Sequence, residues 1–264
     1  MIPMIQTAPS GRYRAKHVAR SEIVKMVTLR STAITVGFTI IASLLVTGLV
    51  TNAALHHGNR YYFAFDPTQE SLVGLIVGCL TGGVFGALLI TGEHSSGTIR
   101  TTLAATPRRG LLLATKIGVT AGAALVFFEL LSFAAFFVGQ VVLSAGGAPS
   151  AGLGSPGALR AVLMTGVFMA LICLMSFGLG LIFRSTAAAI AAFAGVLFVL
   201  PLVMHAISEH DVRYLPTNIL TNSITATVNQ GQGVVSPGVG LGLMAVYAAI
   251  ALGAGAVLFA KRDA

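Results

Sequence analysis

Runs of about 20 apolar residues, separated by short polar or basic stretches, set the pattern of this chain; a helix needs roughly that length to cross a bilayer. Six such runs are readable: about Thr32 to Leu55, Leu72 to Thr91, Leu111 to Ser144, Ala158 to Phe183, Thr186 to Ile207 and Gly238 to Ala260. The third is long enough to tilt or to begin in the interface. Only Arg184 and Ser185 separate the fourth from the fifth, which predicts a tight hairpin. The expected fold is all-α, with six transmembrane helices in one domain over 32–264 and a distinct N-terminal segment over 1–31. In that segment Tyr13 to Arg30 reads as an amphipathic interfacial helix. Ala15, Ala19, Ile23 and Met26 fall on one face, and Arg14, His17, Ser21, Lys25 and Thr28 on another. A basic amphipathic helix beside a span suits an anionic leaflet.

Composition supports lipid as the solvent. Charged residues make up 9% of the chain, against about 25% in an average soluble domain. The net charge of +8 does not point to nucleic acid, because it falls on one side of the expected spans. Of the 16 lysines and arginines, 13 lie in the N-terminal segment, the loop after span two with Lys116, the hairpin at Arg184, or the Lys261-Arg262 end. Arg60, Arg160 and Arg213 lie on the other side, together with Asp66, Glu70, Glu209 and Asp211. The positive-inside rule then places both termini of a multi-pass membrane protein in the cytoplasm. The first 31 residues are polar and basic, without the apolar core of a cleavable leader, so the first span is the expected insertion signal.

Candidate chemistry is sparse. Cys79 and Cys173 sit inside apolar runs and read as small buried hydrophobes. His56, His57, His205 and His210 are scattered, no metal-ligand cluster is evident, and no catalytic set stands out. A phosphate-cradling loop ends in Gly-Lys followed by Ser or Thr, and neither Lys116 nor Lys261 is followed by either. In span two, Gly74, Gly78, Gly82 and Gly86 recur every four residues and present a bare stripe for close helix packing. Ser71 extends that stripe, and Gly118 with Gly122 repeats it in span three. Glu129 is a carboxylate deep in span three and is expected to face protein or a water-filled cavity, either binding a cation, relaying a proton or packing in a hydrogen-bonded state. The polar segment from Ser208 to Gln232 carries weak helical spacing at Ile219, Ile224 and Val228, which predicts a short helix on the outer side.

Between spans two and three the chain reads Glu93-His-Ser-Ser-Gly97-Thr98-Ile-Arg100-Thr-Thr-Leu103-Ala-Ala-Thr-Pro107-Arg108-Arg109. Thr98 to Ala105 has helical spacing, with Ile99 and Leu103 four apart. Pro107 ends it, lacking an N–H and restricting Thr106. A short helix held between two spans suits docking against a soluble partner. Glu93, Gly97, Thr98, Arg100, Leu103, Pro107, Arg108 and Arg109 resemble the cytoplasmic loop of the ABC-2 family of ABC exporter permeases. Arg213-Tyr-Leu-Pro216 before the last span is similar to an element of many bacterial members.

The resemblance implies that the loop is a coupling helix contacting a separate ABC ATPase. ATP and Mg would then bind that partner, with no cofactor in this chain. It also implies pairing with a second permease copy, as homodimer or paralogue, and outward transport by alternating access. Drugs, antibiotics, lipids and peptides all fit as cargo. Two other classes stay open on the residues alone: a proton-coupled secondary transporter using Glu129, and a non-transporting membrane immunity or assembly factor.

Overall fold

The computed structural model describes residues 15–56, 65–95, 97, 109–207, 211–226 and 234–261. Helix α1 spans Ala15–Thr28 and turns at Leu29 into α2, Arg30–His56. A short α3, Pro67–Leu72, leads through Val73 and Gly74 into α4, Leu75–Ser95. Next come α5, Arg109–Ala145, and α6, Ala158–Phe183. The fifth span is built of α7, Thr186–Ala194, a π-helical stretch, Gly195–Val199, and α8, Leu200–Ile207. A 3-10 turn, Asp211–Tyr214, and α9, Pro216–Ile224, precede α10, Pro237–Lys261. Six segments are long and apolar enough to cross a membrane, and no strand occurs among the described residues.

The bundle is organised around α6, which packs against α4, α5 and α10. In its most apolar stretch 67% of α6 is buried, against 17% for α2 and for the fifth span. Phe168, Met169, Ile172, Cys173 and Phe177 of α6 have no exposed surface. Burial of this kind is not a hydrophobic gain in lipid, where tails are as apolar as leucine, so close contact between small residues carries the packing. The glycines of α4 show this directly. A Cβ at Gly86 would strike the Cys173 backbone carbonyl of α6, and one at Gly82 would meet the Phe128 ring of α5 at 2.7 Å. One at Gly78 would meet Met169 at 2.5 Å and Ser43 at 2.9 Å. The stripe is therefore packed inside one protomer. Gly118 and Gly122, expected to repeat it, instead lie on an open face of α5 where a Cβ meets nothing within 4 Å.

Two departures from uniform spans have local causes. Gly74 is not within a helix: the chain makes a turn at Val73 and Gly74, and a Cβ at Gly74 would strike Thr47 of α2. In span five Pro201 has no N–H to give to the carbonyl four residues earlier. The ladder shifts to the wider π pattern, and Leu200 N–H donates to Gly195 O. On α2, Thr39, Ser43, Thr47 and Thr51 recur every four residues and are all buried. Within this hydroxyl stripe Ser43 lies against Gly78 and Thr47 against Gly74, and Thr51 donates to Glu70 O at 3.2 Å.

The helices define two ends. One gathers Ile90, Leu113, Phe177, Leu181 and Phe259 into a small apolar cluster near Lys116 and Lys261, and we call it the basic end. The other carries α3 and α9.

Candidate functional site

At the basic end the last third of α1 lies against the end of α4 and the start of α5. Glu22 and Lys25 are three residues apart and so share a helix face. Lys116 Nζ donates to Glu22 Oε2 at 2.5 Å and to Glu93 Oε1 at 2.8 Å. Lys25 Nζ donates to Glu22 Oε1 at 2.9 Å and to Glu93 Oε1 at 3.1 Å. The four side chains close a ring of alternating charge with no net charge. Glu22 is 2% exposed and Lys116 5%. Charges so buried persist only when paired and hydrogen-bonded, because the desolvation cost is several kcal/mol per ion. Burial pushes the Glu22 carboxyl up, but Lys116 and Lys25 outweigh it and hold the group below its usual 4.5. Burial likewise lowers Lys25, while Glu22 and Glu93 outweigh that and raise it above its usual 10.5.

The ring draws one residue of the expected polar face of α1 inward, while Ser21 and Thr28 of that face stay exposed. Lys25 belongs to the face expected to meet lipid headgroups or water, yet it turns into the protein with Val18 and Glu22. Ile23, Val24 and Val27 are exposed, 52%, 52% and 76% respectively, alongside Arg20, Ser21 and Thr28. The physical reason is that Glu93 and Lys116 stand inside the bundle to pair with Lys25 and Glu22, whereas apolar side chains lose nothing against lipid.

Glu93 and Lys116 also bracket the loop between spans two and three. Of the loop residues picked from the sequence, Glu93 is in the ring. Gly97 has a left-handed backbone, φ 70°, and its N–H donates to His94 O at 3.3 Å. A glycine suits that helix-terminating position because it has no Cβ. Arg109 opens α5. Thr98, Arg100, Leu103, Pro107 and Arg108, with the expected Thr98 to Ala105 helix, lie outside the described residues.

Beside the ring is a cavity of about 340 Å³ between α1, α2, α4 and α5. Farther into the bundle, Glu129 turns toward α6. Its carboxylate lies against Gly166, where a Cβ would meet the carboxyl carbon at 2.5 Å. Oε2 is buried without a hydrogen-bond partner among the described residues. One turn on, Ser132 Oγ donates to Val162 O at 2.8 Å. The described residues hold no group of metal-ligating side chains.

The opposite end is clasped by side chains that bind backbone. Asp66 caps α3, accepting from Thr68 N at 2.9 Å and Gln69 N at 3.3 Å, and accepts from Ala226 N at 2.7 Å. Arg160 donates to Thr225 O and Ala226 O, both at 2.9 Å. Gln140 donates to Pro67 O at 3.0 Å and Ser71 Oγ at 2.9 Å. Helix α9, the short helix foreseen in the outer segment, buries Ile219 and Ile224; Val228 lies outside the described residues.

Six apolar spans around a small-residue core define a multi-pass α-helical membrane protein. The family model for ABC-2 family transporter protein matches residues 16–264. The chain belongs to that family and is a membrane permease, of a kind that usually works with an ATPase subunit. A comparison with curated proteins finds no match.

Proposed function

We propose that this chain is the membrane-spanning subunit of an ATP-driven exporter, with ATP hydrolysed by a separate ABC ATPase docked on the loop over 94–108. Both termini lie in the cytoplasm of a bacterial plasma membrane, which makes the basic end the inner one. Two permease copies, or this chain and a paralogue, enclose the pathway. The cargo is a small molecule, drug, lipid or peptide.

The observation that carries this reading is the charge ring. It joins both ends of the loop, through Glu93 and Lys116, to Glu22 and Lys25 of α1. A push on the loop therefore cannot move α4 or α5 alone. It displaces α1 as well, and through α4 it reaches the central α6, against which Gly86 is in backbone contact. A rigid-body shift of the bundle is how a small docking interface drives alternating access.

The test is co-purification of the tagged chain from its native host, with an ATPase assay and transport into inverted vesicles. A stoichiometric ATPase, lost on Leu103→Asp, and transport stopped by ATP depletion are expected. Transport that survives ATP depletion and collapses with an uncoupler would overturn the proposal and turn attention to Glu129.

A further inference from the structure

At the end opposite the charge ring, the chain just beyond α9 is gripped by its backbone. Asp66 divides its carboxylate: Oδ1 caps α3, while Oδ2 accepts from Ala226 N–H at 2.7 Å. From the other side Arg160, in the first turn of α6, donates through Nη2 to Thr225 O and Ala226 O. Gly157, with φ 81°, makes room for the Ala226 carbonyl, which a Cβ there would strike. Hydrogen bonds with a charged partner are strong. These three are only part-buried, so water can replace them when the segment lifts. The remainder of the segment is braced within itself, Asn218 Nδ2 donating to Val212 O at 2.7 Å. Its far end is tied by a neutral, exposed bond from Tyr247 Oη to Tyr214 O at 3.0 Å. Helix α9 has nine residues, too few to persist alone, and Ile219 rests against Gly240 of α10. Neighbouring α3 is tied differently: Gln140 of α5 donates to Pro67 O and Ser71 Oγ and accepts from Ala151 N–H, without touching α9. The grip on Ala226 can therefore open while α3 stays joined to α5.

We propose that Asp66 and Arg160 form a latch on the Ala226 peptide, and that the segment from Asp211 to Ala226 is a lid whose opening this latch sets. The lid lifts as a unit and uncovers the side of α6 and α10 on which α9 rests, with the rest of the bundle intact. Because the latch binds backbone, its strength is set by Asp66 and Arg160 and not by the side chains of Thr225 and Ala226. The latch belongs to this chain alone and does not depend on an ATPase or a second copy. Only its purpose, closing the exit side between transport cycles, rests on the transport reading.

The experiment follows labelling at position 223 in the full chain carrying Ser223→Cys, in lipid nanodiscs, with a sulfonated, membrane-impermeant maleimide. Ser223 is fully buried and its Oγ donates only within α9, to Ile219 O, so the substitution disturbs little. Cys79 and Cys173, buried in the bundle, report unfolding of the whole. Labelling at 223 is expected to be slow and to outpace both native cysteines. Asp66→Asn leaves one acceptor oxygen, enough for the α3 cap but not for Ala226 as well, and speeds labelling about ten-fold or more, the worth of one hydrogen bond to a charged group. Arg160→Met speeds it at least as much. Gln140→Met, which loosens the same end without touching the latch, leaves it within about two-fold. Monodisperse elution and unchanged helical circular dichroism certify each variant as folded, and if Asp66→Asn does not fold, Arg160→Met decides. An unchanged rate in a folded Arg160→Met would overturn the proposal, as would an equal rise in Gln140→Met. Labelling at 223 that keeps pace with Cys79 and Cys173 would overturn it too, since that reports a static brace lost only with the whole fold.

Discussion

Replacing Lys116 with methionine separates the buried half of the charge ring from its exposed half. Methionine keeps most of the side-chain volume, so the change removes charge with little cavity. It leaves Glu22 and Glu93 facing Lys25 alone. Breaking a buried pair costs about 3–5 kcal/mol. The lower figure applies because Lys25 still donates to both carboxylates. A loss of about 3 kcal/mol weakens docking of α1 about 150-fold. Lys25→Met should cost about 1 kcal/mol or less, since its side chain is 34% exposed and partly exposed pairs are screened. Amide hydrogen exchange over Ala15–Thr28 in detergent reads this directly. Lys116→Met lowers protection by about two orders of magnitude, and Lys25→Met by less than ten-fold. Adding Glu22→Leu to Lys116→Met removes the carboxylate left short of a partner and recovers most of the protection. Equal losses for the two lysine variants, or a double variant no better than the single one, would refute the reasoning.

Three further outcomes follow. Glu22 titrates below its unfolded value, so its contribution is complete above pH 4.5 and is lost as pH falls through the folded value; Lys25 titrates above its own, so its contribution is complete below pH 10.5 and is lost as pH rises past it. Protection of α1, corrected for intrinsic exchange, is therefore flat between those limits, and a decline beginning near pH 7 would contradict it. Gly86→Val should cost about 3 kcal/mol or more by forcing α4 off the α6 backbone, while Gly118→Leu leaves thermal unfolding within a degree or two, both read by scanning fluorimetry in detergent. Asp66→Ala removes the α3 cap and the acceptor for Ala226 N, a combined loss of about 2–3 kcal/mol, seen as faster exchange of residues 225–226 with α1 unaffected.

The spans were legible because lipid imposes one rule along their whole length. Ala158–Phe183 matches in both bounds, since Gly157 and the Arg184-Ser185 pair punctuate it sharply. The break at Gly74 was not legible, because Val73 and Gly74 continue an apolar run, and the close approach of Thr47 from another helix leaves no mark in the residues around them. Pro201 did signal the π-helical stretch, but hydropathy reads straight over a proline. The Gly82 and Gly118 stripes look alike in sequence and differ only in what faces them, which no periodicity encodes.

Glu22 is the instructive omission. Sorting α1 by polarity assumes that its polar face meets water, and the partner that reverses this, Lys116, is 94 residues away. Yet a one-dimensional signal existed. Lysines and arginines at the basic end are over-explained: topology accounts for them whether or not they also pair. Carboxylates there gain nothing from topology and add nothing to attraction by an anionic leaflet. Glu22 and Glu93 are acids on the side where 13 of 16 cations gather, so each needs a separate reason to be present. In a membrane protein the charge that breaks the asymmetry is therefore the better guide to a built site, and it leads here to the ring, the loop the ring brackets and the cavity beside it.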